Sequence, residues 1–300
     1  MAEPHVDLSD DLTIIRIAYV PGTLDPARVF RAMAGLIDAF HRIDRHLAQT
    51  VSVTVEPLVV LERVEAGSIR AILRTILTQV PDDALQNLDL RPILGQYLVR
   101  GKHRLLEWAD GKQRVPSLPE VKELQQELRR QAPQTMTDRL LPPAVVPTED
   151  LLWDLEALSR AVAHLKGGDS AEFISRRDQT RIETRLVVTR EDIESLLTQE
   201  MVTSENQMLL LVKKPDYLGN SMWEFRLGEK NIDAKMMDEL WLERFRRSEI
   251  PLRPGDALRA RVKTEIARGF EGEEVSVKYY VLRVSGVVHD ANPHQGDMLG

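Results

Sequence analysis

Cysteine is absent from this sequence of 300 residues. Disulfides, thiolate zinc sites and cysteine nucleophiles are thereby excluded. The absence also fits a reducing compartment. Aromatic residues are scarce, at 5%. Long apolar runs are missing too. Met208 to Val212 is among the longest, far short of the ~20 residues a spanning helix needs. Met1 to Asp11 is acidic and polar, without the apolar core of a signal peptide. Together these gaps set the expectation of a cytoplasmic chain that does not insert directly into a membrane.

Catalytic signatures are missing as well. The sequence has no G-x-x-x-x-G-K-[ST] loop and no G-x-G-x-x-G after a strand, so it lacks those nucleotide cradles. It has no G-x-S-x-G elbow, no H-E-x-x-H pair and no kinase set. These gaps imply no cofactor and lean away from an enzyme. Positive charge is outnumbered: the formal net charge is −7. That favours solubility and weakens the case for a general nucleic-acid or anionic-membrane surface, while leaving room for a local basic patch.

What is present describes a globular fold. Apolar residues make up 43% and charged residues 29%, enough to build a core without staples. Leu12 to Val20 reads as a strand, ended by Pro21-Gly22. Asp25 is placed to cap a helix with Pro26 at its first position. Val29, Phe30, Met33, Leu36, Ile37, Phe40, Ile43 and Leu47 follow at helical spacing. Strands are expected at Val51 to Val55 and Leu58 to Val64, with a break near Pro57. A second helix is expected from Gly67-Ser68, carrying Ile69, Ile72, Leu73, Ile76 and Leu77. The first 80 residues then form a β-α-β-β-α unit.

Residues 81–170 read as helical, with a proline-rich linker near 132–147. Ser117 and Glu120 have capping-box spacing, and Thr148 is placed to cap a further helix. Residues 171–290 read as a β-rich domain with an antiparallel, possibly barrel-like sheet, interrupted by helices at Arg190 to Leu197 and Asp238 to Arg247. Residues 291–300 read as a flexible tail. The fold class is therefore α+β.

Three groups of residues invite a functional reading. His41 and His46 lie five apart on the first helix, with Asp44 between them. At ~3.6 residues per turn the imidazoles point about 140° apart, poor geometry for one metal. A solvated helix face is expected there. Asp216 and Glu224, near Lys230, are the candidate ligands of a Mg²⁺-dependent nucleic-acid enzyme. Acidic residues are also what solvent-facing strand positions commonly carry. The third group is basic and aromatic. Lys213, Lys214, Tyr217, Trp223, Arg259 and Arg261 are the candidate binding residues, near Trp241, Arg244 and Phe245 on a short helix. Such a face on a small barrel can hold a single nucleic-acid strand. Glu239, Glu243 and Glu249 oppose phosphate there, so a protein partner or homo-oligomer is preferred.

The stretch Val55 to Leu73, VEPLVVLERVEAGSIRAIL, resembles the strand-then-GS-helix segment of small accessory modules in bacterial phage-defence and mobile-element proteins. The preceding strand and DPARVF helix agree in order. The last third, with VKKPDYLGNSMWEF and IPLRPGDALRARV, resembles the β-rich half of uncharacterised bacterial proteins of the same kind. The resemblance covers about the first 80 residues and the last 90. It implies a bacterial cytoplasmic setting and an adaptor-like role, and it transfers no active-site residue.

Overall fold

The computed structural model describes residues 12–22, 25–51, 55–65, 69–78, 90–114, 117–132, 145–217 and 222–289. By internal contacts the chain divides into two units, Met1–Leu196 and Leu197–Gly300. The division falls at the end of the helix Arg190–Leu197.

The first unit is built on a five-stranded sheet of order β2-β3-β1-β4-β5. Its strands are β1 (Leu12–Ala18), β2 (Glu56–Glu65), β3 (Ile69–Thr78), β4 (Ser170–Ile174) and β5 (Gln179–Ile182). All neighbours are antiparallel. Helices α1 (Ala27–Gln49), α2 (Leu90–Ala109), α3 (Leu118–Gln131) and α4 (Thr148–Val162) belong to this unit. Phe173 of β4 meets Phe40 of α1 at 4.9 Å and His103 of α2 at 4.8 Å between ring centres. These contacts identify the helix-covered face of the sheet. Ile15, opposite both Phe173 and Ala71, lies on it and is fully buried.

Small residues set how closely the helices approach. A Cβ on Gly35 of α1 falls 2.9 Å from that of Ala161 on α4. A Cβ on Gly101 of α2 falls 2.6 Å from Leu47 of α1. At the Gly35 crossing a larger side chain meets the Ala161 backbone and pushes the helices apart, whereas at Gly101 it displaces the end of the Leu47 side chain.

Several expectations change here. The helix expected from Gly67-Ser68 is the strand β3, so the described elements run β-α-β-β. Ile69, Ile72, Leu73, Ile76 and Leu77 fit a helical stripe, but a strand with apolar groups on both faces also contains that spacing. Pairing with both β1 and β2 decides it, placing Ala71 and Leu73 on one face and Ile72 on the other. Pro57 does not break the chain. It sits inside β2, an edge strand, where a missing N–H is tolerated. Residues 170–182 pair with β1 rather than with the C-terminal sheet. Helix α1 begins at Ala27 with Pro26 at its cap position, and the Asp25 carboxylate accepts from Arg31 instead. Helix α4 is preceded by Pro147, and Thr148 Oγ1 accepts from Gln125. The capping-box reading at Ser117 holds: the Glu120 carboxylate accepts the Ser117 N–H at 2.9 Å. The expected strand at 51–55, the linker and the tail fall largely or wholly outside the described residues.

The second unit is a closed five-stranded barrel, β10-β8-β7-β6-β9. Its strands are β6 (Glu200–Lys214), β7 (Trp223–Leu227), β8 (Lys230–Met236), β9 (Ala257–Arg268) and β10 (Glu274–Val288). Helix α5 (Arg190–Leu197) precedes it, and α6 (Glu239–Arg246) lies between β8 and β9. Four of the pairings are antiparallel, but β10 and β8 run parallel. Period-two alternation sends Trp223 and Phe225 of β7, Ala234 of β8, and Leu258, Ala260 and Val262 of β9 inward. Trp241 and Phe245 of α6 close the core against Trp223. Asp238 holds that helix in place: one carboxylate oxygen accepts the Trp241 N–H, and the other accepts the Val284 N–H of β10. The fold is α+β with a C-terminal barrel.

Candidate functional site

The outer surface of the barrel follows from the same alternation that fills its core. Every second residue of β9 points away from the core, so Arg259, Arg261, Lys263 and Glu265 share one face. Register extends that face across three strands. Leu209 of β6, Arg259 and Gly286 of β10 form one row. Gln207, Arg261 and Arg283 form the next, then Glu205, Lys263 and Tyr280, then Thr203, Glu265 and Lys278. Five cations and two carboxylates stand together on this face. Glu205 reaches Arg261 at 2.7 Å, and Glu265 reaches Lys263 at 2.7 Å. The Lys263 ammonium also lies 4.8 Å from the Tyr280 ring centre. Burial raises the Tyr280 hydroxyl above its ordinary pKa, and neighbouring Glu265 adds to the effect. Among the described residues, neither Arg259 nor Arg283 has an acidic partner.

The candidate residues do not converge on one site. Arg259 and Arg261 stand on this cationic face. Lys213 lies four residues beyond Leu209, the partner of Arg259, about 13 Å along β6 at the usual strand rise. It binds Glu224 Oε1 at 2.5 Å, and Lys214 lies opposite Glu224 in register. Tyr217 is exposed, but its ring stacks on Phe245 at 5.2 Å. Trp223 is 1% exposed and belongs to the barrel core, so it presents nothing to a ligand. Asp216 is not brought together with Glu224 in any group of three acidic or imidazole side chains. No such group suited to a metal occurs among the described residues. Arg283, Lys278 and Tyr280 complete the cationic face and were not signalled by the sequence. Strand β10 carries three register shifts, so simple counting by twos along it fails.

In the first unit the ionisable groups turn inward and pair. Asp44 is fully buried, with Lys102 Nζ at 2.7 and 2.8 Å from its two oxygens. Burial raises the Asp44 pKa against the pull of Lys102. His46 Nδ1 lies 2.9 Å from Asp154, which also takes Arg42 at 3.0 Å. The Asp154 hydrogen bond raises the His46 pKa, while burial raises that of Asp154. His41 Nε2 donates to, or lies against, the Pro57 carbonyl at 3.1 Å. The expected solvated face is thus an interior one. One sequence signal pointed there: Asp44 lies four residues beyond Phe40 and three before Leu47, on the apolar stripe itself.

Two surface clefts border these networks. His103 spans two hydroxyls, Ser175 Oγ at 2.9 Å and Thr180 Oγ1 at 2.7 Å. A cavity of about 40 Å³ outside it is lined by Arg100, Arg176, Arg177 and Asp178, among others. Burial lowers the His103 pKa. Its second nitrogen meets a hydroxyl rather than a carboxylate, so the pair lacks the anion that orients and stabilises an imidazolium in a nucleophilic triad. A cleft of about 330 Å³ between α1 and α4 includes Arg31, Arg42, Arg160 and His164. Its arginines are engaged by Asp25, Asp154 and Glu156.

Comparison with protein-family models, curated proteins and solved structures gave no match. The barrel's own topology is informative. Numbered within the unit, its closed order is 1-2-3-5-4, with a parallel 3/5 pair and a helix between strands 3 and 4. That is a Greek-key arrangement of a small closed barrel. Topology of this kind describes architecture and does not assign a function.

Two outcomes follow from the buried charges. Lys102→Met strands the Asp44 carboxylate and costs about 3–5 kcal/mol in urea denaturation, while Asp44→Leu/Lys102→Met recovers most of that loss. Glu183 accepts from Arg185 Nε and two backbone amides. These contacts, the Arg185 guanidinium first, lower its pKa from 4.5 to about 2. A depressed acid stabilises above its unfolded pKa. Stability therefore falls as pH drops from about 4.5 toward 2, and Glu183→Gln flattens that limb in acid titrations of the urea midpoint.

Proposed function

We propose that this chain is a non-enzymatic interaction or regulatory protein, with its C-terminal barrel as the binding module. One observation carries the reading: the row in which Arg261 of β9 stands directly opposite Arg283 of β10. Like charges facing each other across antiparallel strands are destabilising. A solvent-exposed row that keeps them is suited to an anionic partner. The buried ionisable groups support the same reading from the other side. Asp44, Asp154 and Glu183 are engaged by neighbouring cations or amides, as an architecture consumes them rather than a reaction.

An accessory role in a bacterial defence system, in the cytoplasm, is part of this proposal and rests on the resemblance of the first and last thirds. Among the described residues no helix is long and apolar enough to cross a membrane. The competing reading is a metal-dependent nucleic-acid enzyme using Asp216 and Glu224. Its would-be ligand Glu224 is held by Lys213 at 2.5 Å.

Two measurements separate these readings. Native mass measurement of the chain purified from its own host shows a stable complex heavier than the 34.1 kDa chain. Incubation with DNA or RNA plus Mg²⁺ or Mn²⁺ shows no cleavage. Cleavage abolished by Glu224→Ala overturns the proposal, as does a chain that stays alone and binds no anionic ligand.

A further inference from the structure

We propose that the β6-β9-β10 face of the barrel binds the sugar–phosphate backbone of a single-stranded nucleic acid. This rests on the reading of the barrel as a binding module and names its partner.

Geometry comes first. Arg259, Arg261 and Lys263 project from alternate positions of one strand, about 6.6–6.8 Å apart. Lys278 and Arg283 lie on the neighbouring strand, about 4.7–4.9 Å away. The result is a narrow track of positive charge along the strand direction. One extended chain of phosphates fits such a track, whereas the two backbones of a duplex are too far apart to share it. The track also offers room at its end. A Cβ built on Gly286, beside Arg259, meets nothing within 4 Å.

Charge comes second. Glu205 answers only the Arg261 side of the Arg261–Arg283 row, and among the described residues Arg259 and Arg283 have no acidic partner, so a line of phosphates meets two unmatched arginines. Arginine holds phosphate oxygens through paired N–H donors, which suits it to this use better than lysine. Glu205 and Glu265 each engage one cation and lie toward one end of the track, clear of Arg259 and Arg283. Tyr280 is already covered by Lys263, so the recognition falls on the backbone rather than on stacked bases.

Chain topology then separates nucleic acid from an acidic peptide. Peptides commonly dock to sheets by adding a strand to a free edge. Here β9 is paired on both sides, with β6 and β10, and β10 is paired with β9 and β8. Strand β9, which carries Arg259 and Arg261, therefore has no edge to offer, and a peptide laid over it gains side-chain contacts only. A polyphosphate chain needs nothing more.

The test is fluorescence anisotropy of the full chain with labelled oligo-dT and oligo-U, alongside a labelled poly-glutamate peptide, over a salt series. Both oligonucleotides bind, and more tightly than poly-glutamate. Each phosphate contact adds about 0.7 to the slope of log affinity against log salt. Arg259→Gln/Arg283→Gln lowers that slope by about 1.4 and keeps the native circular dichroism. Arg160→Gln, on α4, leaves it unchanged. Absent oligonucleotide binding, an unchanged slope in the double variant, or tighter binding of poly-glutamate overturns the inference. If oligonucleotides fail while a protein partner co-purifies, the inference falls and the binding-module reading stands. If both fail, both fall.

Discussion

The C-terminal unit depends on one pairing, the parallel contact between β8 and β10 at Tyr279–Ala234, Tyr280–Lys235 and Val281–Met236. It closes the sheet on itself. Closure removes the free edges that an open sheet must otherwise protect. Where it holds, it also sorts side chains into an inside and an outside. Strand β9 then divides its residues without ambiguity: Leu258, Ala260 and Val262 fill the core, and Arg259, Arg261 and Lys263 face outward. The proposed binding surface is the outer half of the constraint that builds the core.

The N-terminal unit manages charge differently. It buries Asp44 with Lys102 and Arg28 with Asp169, each partner 3% exposed or less. Such pairs regain their desolvation cost only when the geometry is tight, so they contribute little net stability. What they add is specificity of packing, since a shifted helix leaves a bare charge behind. Asp44 ties α1 to α2 through Lys102 and to β3 through Thr75. Asp154 ties α4 back to α1 through Arg42 and His46. The unit's ionisable groups are thereby committed to holding helices on a sheet.

Much of the fold was legible from residue spacing, because long amphipathic segments carry a strong period. Helices α1, α5 and α6 were readable to within a few residues. The failures have physical causes. Strand β3 was read as a helix because it is apolar on both faces, which blurs a period of two into one near 3.6. Strand β8, KNIDAKM, is mostly polar and short, and only its alternate residues are buried. The candidate residues suffered from linear vision. Trp223 carries an aromatic side chain on a strand, and only the pairing with β8 and the packing of α6 show that it points inward. Arg259 and Arg261 were visible as alternating basic residues. Arg283 was not, since the register shifts of β10 hide which of its residues share that face.

The proposed function puts the partner on the outer face of β9 and β10. Amide hydrogen exchange, with and without the partner or oligonucleotide, reads this directly. Added protection is expected within residues 257–265 and 278–286. Protection confined to the first unit, or to the segment joining β6 to β7, contradicts it.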